Sequence, residues 1–154
     1  MAVIIQSNSR VCGECRSCCE GWLTGNIREH QMKPGIPCFF LKTEGCSIYK
    51  DRPEIPCRSF ICGWLENGSP LPENYRPDQL GVIFVPIVWR ERRAWILVPA
   101  GKEPDEELME RMRNHTKLTG EPHLIKRSDR LLCYGLPEFQ QDMISKSHRG
   151  ESLW

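Results

Sequence analysis

The sequence predicts an α+β protein in two parts, a small cysteine-rich N-terminal module followed by a small antiparallel sheet with two helices. Eight of the nine cysteines lie between Cys12 and Cys62, in a segment with many glycines and prolines and little apolar periodicity. From residue 80 onward, apolar residues recur instead in the patterns typical of strands and helices. The predicted regions are a module over 10–66, an α+β region over 80–145 and a mobile tail over 146–154.

The N-terminal module has too few bulky apolar side chains to fold by hydrophobic burial alone. It therefore needs crosslinks, and bound metal can supply that folding energy. The segment that follows it, NGSPLPENYRPDQ over 67–79, contains three prolines and is predicted to be a connector.

Two apolar runs, GVIFVPIVW over 81–89 and AWILVPA over 94–100, predict paired strands joined by the charged turn RERR. Pro86 has no amide hydrogen, which favours an edge position or a bulge for the first of them.

A helix is predicted after Pro104, because acidic residues crowd its first turn at 105–107 and Gly120 ends it. Its apolar stripe contains Leu108, Met112 and His115.

Two short strands, HLIK and RLLCY, follow this helix around a predicted turn at Ser128–Asp129. Pro137 begins a second helix that carries Phe139, Met143 and Ile144. The element order ββαββα favours a small antiparallel sheet with helices on one face.

Composition and charge narrow the class of protein. The 154 residues are 40% hydrophobic and 27% charged, as in ordinary globular proteins. With 21 basic and 20 acidic residues and no basic half, nucleic-acid binding is not supported, although a local basic patch stays open. The longest apolar run is too short to cross a membrane. The start MAVII-QSNSR lacks the features of a secretion signal, so we expect a cytoplasmic protein.

The cysteine spacing is C-x2-C-x2-C-C, followed by four further cysteines. In a reducing compartment, dense cysteines bind metal or do redox chemistry more often than they form disulfides. Adjacent side chains diverge, so Cys18 and Cys19 are poorly placed to chelate one ion together. They would serve two metals or different irons of one cluster. Alternatively, a helix from Cys15 places Cys15, Cys18 and Cys19 on one face.

Eight thiols divide simply into two four-sulfur sites. The predicted metal ligands are Cys12, Cys15, Cys18, Cys19, Cys38, Cys46, Cys57 and Cys62. Thiolates favour zinc and iron–sulfur clusters. Zinc is slightly favoured because it suits a small crosslinked module, whereas the CxxCxxC start and the doublet suit a cluster. Arg16, Arg52 and Arg58 would partly offset the thiolate charge, and disulfides or free thiols are the alternative reading.

The segments CGECRSCC (12–19), PCFFL (37–41), GCSIYKDRP (45–53) and CRSFIC (57–62) resemble the CxxCxxCC cysteine-cluster family (YkgJ-type), described as a zinc- or iron-chelating domain. The resemblance covers about a third of the chain. It implies metal binding through these eight cysteines and no particular reaction. The family often has a shorter gap before its CR pair, where residues 54–56 intervene here.

For the other candidate functional residues, we expect a structural role and give the functional role as the alternative. Cys133 is expected to be a small buried hydrophobe, and His30 a surface residue with metal ligation as the alternative. Arg58 is expected to hydrogen-bond thiolates or pair with Asp51. The alternative is that it binds a substrate anion.

We find no phosphate loop and no catalytic signature in the sequence. The favoured function is therefore a metal-binding accessory or interaction module with structural zinc, for an unknown protein partner and without membrane attachment. The chain is more consistent with a non-enzyme. The alternatives are an iron–sulfur protein acting in redox or in modification of a partner, and a thiol or metal sensor.

Overall fold

The computed structural model describes residues 10–127 and 129–154. The start MAVII and Ser128 of the predicted turn therefore lie outside the described residues. The cysteine-rich module contains two small antiparallel hairpins. The first pairs β1 (Gly25–Ile27) with β2 (His30–Met32), and the second pairs β3 (Leu41–Lys42) with β4 (Gly45–Cys46). Single helical turns precede the first hairpin and follow the second, as expected for a segment with little periodicity.

The α+β class is confirmed by a four-stranded sheet and the helices that follow its strands. The sheet consists of β5 (Val82–Trp89), β6 (Arg92–Pro99), β7 (His123–Lys126) and β8 (Leu131–Tyr134), in that spatial order. β5 is an edge strand, as Pro86 predicts. The β5–β6 turn consists of Arg90 and Glu91, two residues instead of the predicted four of RERR. These two residues take the positive φ angles of 46° and 65° that a tight hairpin requires.

One strand pairing differs from the prediction of an antiparallel sheet. β6 and β7 are parallel, with Trp95 opposite His123, so the sheet is mixed. The cause is the helix between them, which returns the chain to the end of the sheet where β6 began and makes β7 run in the same direction.

Two longer helices and one short helix accompany the sheet. α1 (Pro77–Leu80) is a single turn within the predicted connector. α2 (Glu106–Thr119) begins after Asp105, whose carboxylate accepts from the Leu108 amide at 2.8 Å, and ends at Gly120 in the left-handed conformation. α3 (Pro137–His148) begins at the predicted proline.

The residues predicted to form a mobile C-terminal tail, 146–154, include the end of a helix and a buried side chain. α3 continues to His148, and Leu153 is buried at 8% exposure. The ammonium of Lys126 lies 4.7 Å from the centre of the Trp154 ring. The residues after the helix thus pack against the protein because their two apolar side chains find partners there.

The module and the sheet share one continuous apolar core. Module side chains such as Ile27 and Trp64 belong to the same buried cluster as Phe84 and Trp95 of the sheet. The junction is close at Gly63, whose amide donates to the Phe84 carbonyl at 2.7 Å. A β-carbon at Gly63 would lie 2.5 Å from the Trp95 ring, so only glycine fits without rearrangement. The segment after Cys62 is therefore held directly against the sheet.

Candidate metal centre

The first four cysteines lie on a tight turn and one short helical turn. The Cys15 amide donates to the Cys12 carbonyl at 2.9 Å, which closes the first C-x2-C loop. Cys18 and Cys19 lie on a 3-10 turn over Ser17–Cys19, which does not extend back to Cys15. The alternative of one helical face shared by Cys15, Cys18 and Cys19 is therefore wrong.

The other four cysteines of the module lie before, on and after the second hairpin. Cys38 precedes β3, and Cys46 ends β4. Cys57 lies in a helical turn over Glu54–Arg58, and Cys62 directly precedes the Gly63 junction. All nine cysteines of the chain are free thiols in this structure.

Electrostatic neighbours define a first thiol group, consisting of Cys12, Cys15, Cys18 and Cys62. Burial raises the pKa of the Cys18 thiol, and the thiols of Cys62, Cys19, Cys15 and Cys12 raise it further, in that order. Burial also raises the Cys62 pKa; amide hydrogen bonds partly oppose this, and the Cys12 and Cys15 thiols add to it. Thiols raise one another's pKa only when they lie close together. The group thus joins the start of the module to its end.

The second thiol group consists of Cys19, Cys38, Cys46 and Cys57. Burial raises the pKa of Cys19 to about 11, and the main thiol neighbours are Cys38, Cys46 and Cys57. Cys57 has its pKa raised by burial and then by Cys38 and Cys46. The backbone agrees with this grouping, since the Cys38 amide donates to the Cys19 carbonyl at 2.8 Å. By these neighbours the doublet divides, with Cys18 beside the first group and Cys19 beside the second, while the Cys19 thiol also acts on Cys18.

Two guanidinium groups, those of Arg52 and Arg16, lie beside these thiols. Arg52 lowers the pKa of Cys12 in the first group and of Cys19 and Cys57 in the second, in each case against the larger effect of burial. Its Nε donates to the Tyr49 carbonyl at 2.9 Å, and its guanidinium stacks on that ring at 3.8 Å. Arg16 is anchored to the Thr43 carbonyl and lies against Gly45, next to Cys46. Cationic groups thus offset part of the charge that thiolates would bring.

Arg76 and Asp78 also reach the first thiol group, and the sequence reasoning missed both. Arg76 binds both carboxylate oxygens of Asp78, at 2.6 and 2.8 Å, and its Nη1 lies 3.7 Å from the position of a β-carbon on Gly13. The Asp78 pKa is held below its usual value by Arg76, and the nearby Cys15 thiol adds a smaller lowering effect. No local pattern signals this contact, because more than sixty residues separate the partners.

The remaining candidates lie apart from the thiol groups or make other contacts. His30 stacks face to face on Phe39, with ring centres 3.8 Å apart. Arg58 donates to the Lys50 carbonyl at 2.7 Å rather than to the Asp51 carboxylate. Cys133 pairs with Leu124 in the sheet, and burial raises its pKa to about 11. The thiol is half-buried in the sheet rather than fully buried as predicted.

The donor set fits a thiophilic metal in chemistry and in number. Each group offers four sulfur atoms, the full ligand set of a structural zinc or of a four-cysteine cluster. The arrangement is looser than a coordination sphere: across residues 10–127 and 129–154, no three His, Cys, Asp or Glu side chains are gathered closely enough to hold a metal ion. Comparisons with protein families, curated proteins and solved structures gave no match for this chain.

Proposed function

We propose that this chain binds two zinc ions, one in each thiol group, and that the folded module acts as an accessory or interaction surface. The observation that carries the proposal is the division of the Cys18–Cys19 doublet between two sets of four thiols. Adjacent residues that face different sets avoid the poor geometry of chelating one ion together.

Two closed sites would be structural and not catalytic. Zinc supplies crosslinking when it is bound by four thiolates, since no open position is left for water or substrate. The chain's own residues set up these sites. The Cys12–Cys15 turn closes the first C-x2-C loop, the second hairpin pairs Cys46 with Leu41 shortly after Cys38, and Arg52 offsets thiolate charge in both groups.

The likeness of CGECRSCC and CRSFIC to the CxxCxxCC cysteine-cluster family supports metal binding by the same thiols. A cytoplasmic location is part of the proposal, because a reducing compartment keeps eight thiols available for metal. In the described part of the chain, no helix has the length and apolar character needed to cross a membrane.

An iron–sulfur protein is the second candidate, because four cysteines per group also meet the needs of a cluster. Elemental analysis and an absorption spectrum of protein purified without oxygen distinguish the two. Two zinc atoms per chain in a colourless protein support the proposal. A brown protein with iron and sulfide establishes the alternative, and a fully folded protein with neither metal overturns both.

A further inference from the structure

A cleft beside the connector has no cysteine among its lining residues. It encloses about 140 Å³ between the connector, β6 and α2. We call it the Trp95 cleft, and its lining residues are Pro70, Leu71, Pro72, Tyr75, Trp95, Arg111, Met112 and His115. A cavity of about 150 Å³ holds benzene in another protein, so this cleft has room for one aromatic ring.

The floor of the cleft is apolar and aromatic. Tyr75, Trp95 and Met112 are each at most 6% exposed. Flat aromatic walls favour a flat apolar ligand, because stacking adds to the free energy of apolar burial. Few polar groups interrupt this floor, which is the usual composition of a small-molecule site.

Behind two of the lining residues, Trp95 and His115, lies the Glu121 carboxylate, which is hydrogen-bonded to both. Glu121 Oε2 accepts from the Trp95 indole at 2.9 Å and lies 2.6 Å from His115 Nε2. Burial raises the Glu121 pKa, but these two hydrogen bonds outweigh it and leave the pKa lowered, so the carboxylate is ionised. The other ring nitrogen of His115, Nδ1, has no hydrogen-bond partner within the described part of the chain.

The opposite wall carries a guanidinium without a carboxylate partner. Arg111 lies over the Tyr75 ring at 5.4 Å, and across residues 10–127 and 129–154 it forms no ion pair within 4 Å. Its helix neighbour Arg113, by contrast, pairs with Glu106 at 2.5 Å. Glu107, one turn before Arg111, acts on the Tyr75 phenol without pairing with Arg111. The cleft thus offers an exposed cation without an anionic partner among the described residues.

We propose that the Trp95 cleft binds a small organic anion with a flat apolar body, such as an aromatic carboxylate. The ring of the ligand lies on Trp95 and Met112, and its carboxylate pairs with Arg111. Arg111 and His115 are four residues apart on α2, so their side chains emerge on the same face of the helix. His115, held in place by its hydrogen bond to Glu121, forms the side of the cleft next to Arg111.

The test uses benzoate as the probe and benzamide, which has the same shape without the charge, as the comparison. Nuclear magnetic resonance titrations follow the indole N–H of Trp95 in reduced protein as purified. Benzoate should shift this signal saturably and more tightly than benzamide. Arg111→Gln should weaken benzoate binding about tenfold, the loss typical of one charge-assisted hydrogen bond.

Arg113→Gln is the matched control on the same helix and should change benzoate affinity by less than about twofold. The spectra of both variants report whether the fold is kept. Equal binding of benzoate and benzamide, an unchanged affinity in Arg111→Gln, or no saturable shift up to the solubility limit would each overturn the proposal. None of these outcomes depends on metal in the thiol groups.

Discussion

The amide of Cys38 donates to the carbonyl oxygen of Cys19 at 2.8 Å, which ties the end of the doublet to the start of the second cysteine set. Cys18, one residue earlier, has Cys62 as its strongest thiol neighbour. Two adjacent residues thus face sulfurs from different parts of the chain. The doublet is the point at which the first and second thiol groups separate.

This separation predicts that each half of the doublet controls one metal. Cys18→Ser and Cys19→Ser should each bind one zinc where the parent chain binds two, because each removes a ligand from a different site. Cys133→Ser is the control and should bind two, since that thiol lies in the sheet. Native mass spectrometry of zinc-loaded protein measures the stoichiometry directly.

Double variants test the grouping itself. Cys18→Ser combined with Cys62→Ser damages only the first thiol group and should keep one zinc. Cys18→Ser combined with Cys57→Ser damages both groups and should keep none. If the two double variants bind the same amount of zinc, the assignment of these cysteines to separate groups is wrong.

The Gly63 junction predicts a large cost for a small side chain. Gly63→Ala would place a β-carbon 2.5 Å from the Trp95 ring and 3.2 Å from Phe84 Cβ, in the centre of the core. Overpacking of this kind costs about 1–3 kcal/mol of unfolding free energy. Urea unfolding measures it. Gly25→Ala is the control, because its nearest contact is 3.3 Å from a Pro56 side chain, and it should cost less.

Much of the C-terminal fold follows from local signals. The apolar runs predict β5 and β6, and the acidic start and Gly120 predict the bounds of α2, because caps and periodicity act over a few residues. The parallel β6–β7 pairing was missed, since it depends on where α2 returns the chain. No short pattern encodes that direction.

The sequence predicts which cysteines form the candidate site, but it does not predict how they divide into two groups. The spacing identifies the eight thiols, but Cys18 finds Cys62 through a contact across more than forty residues. Asp78 and Arg76 were missed for the same reason, because they approach Cys15 only after the connector folds back.

The position of Arg52 predicts that it strengthens metal binding at both sites. Its charge acts on thiols of both groups, so Arg52→Gln should lower zinc affinity about tenfold, the lower end of losses for residues that support metal ligands. Competition with a chromogenic chelator measures the change. Arg52→Lys should lose less, because it keeps the charge. Arg90→Gln, whose parent residue pairs with Asp142, should match the parent, and equal affinities in all variants would contradict this role.

His123 gives the sheet a dependence on pH that is separate from the thiols. The ring is 1% exposed, its Nδ1 lies 2.8 Å from the Thr116 hydroxyl, and Nε2 has no partner among the described residues. The Thr116 hydroxyl donates to the Glu121 carbonyl, so Nδ1 carries the ring proton and Nε2 is a bare acceptor. Burial, together with His115 and Arg113, lowers the His123 pKa to about 4.

Because the folded pKa lies below the unfolded value of about 6.5, the unfolded chain takes up this proton first as the pH falls. The unfolding free energy therefore falls as the pH drops below about 7, and this fall ends near pH 4, where the folded ring also takes up a proton. Between about pH 7 and pH 4.5 the parent chain should lose about 2 kcal/mol more unfolding free energy than His123→Asn does. Urea unfolding of both proteins at each pH measures the difference, and acid effects on the thiols are common to both. Identical losses would show that His123 does not titrate on unfolding.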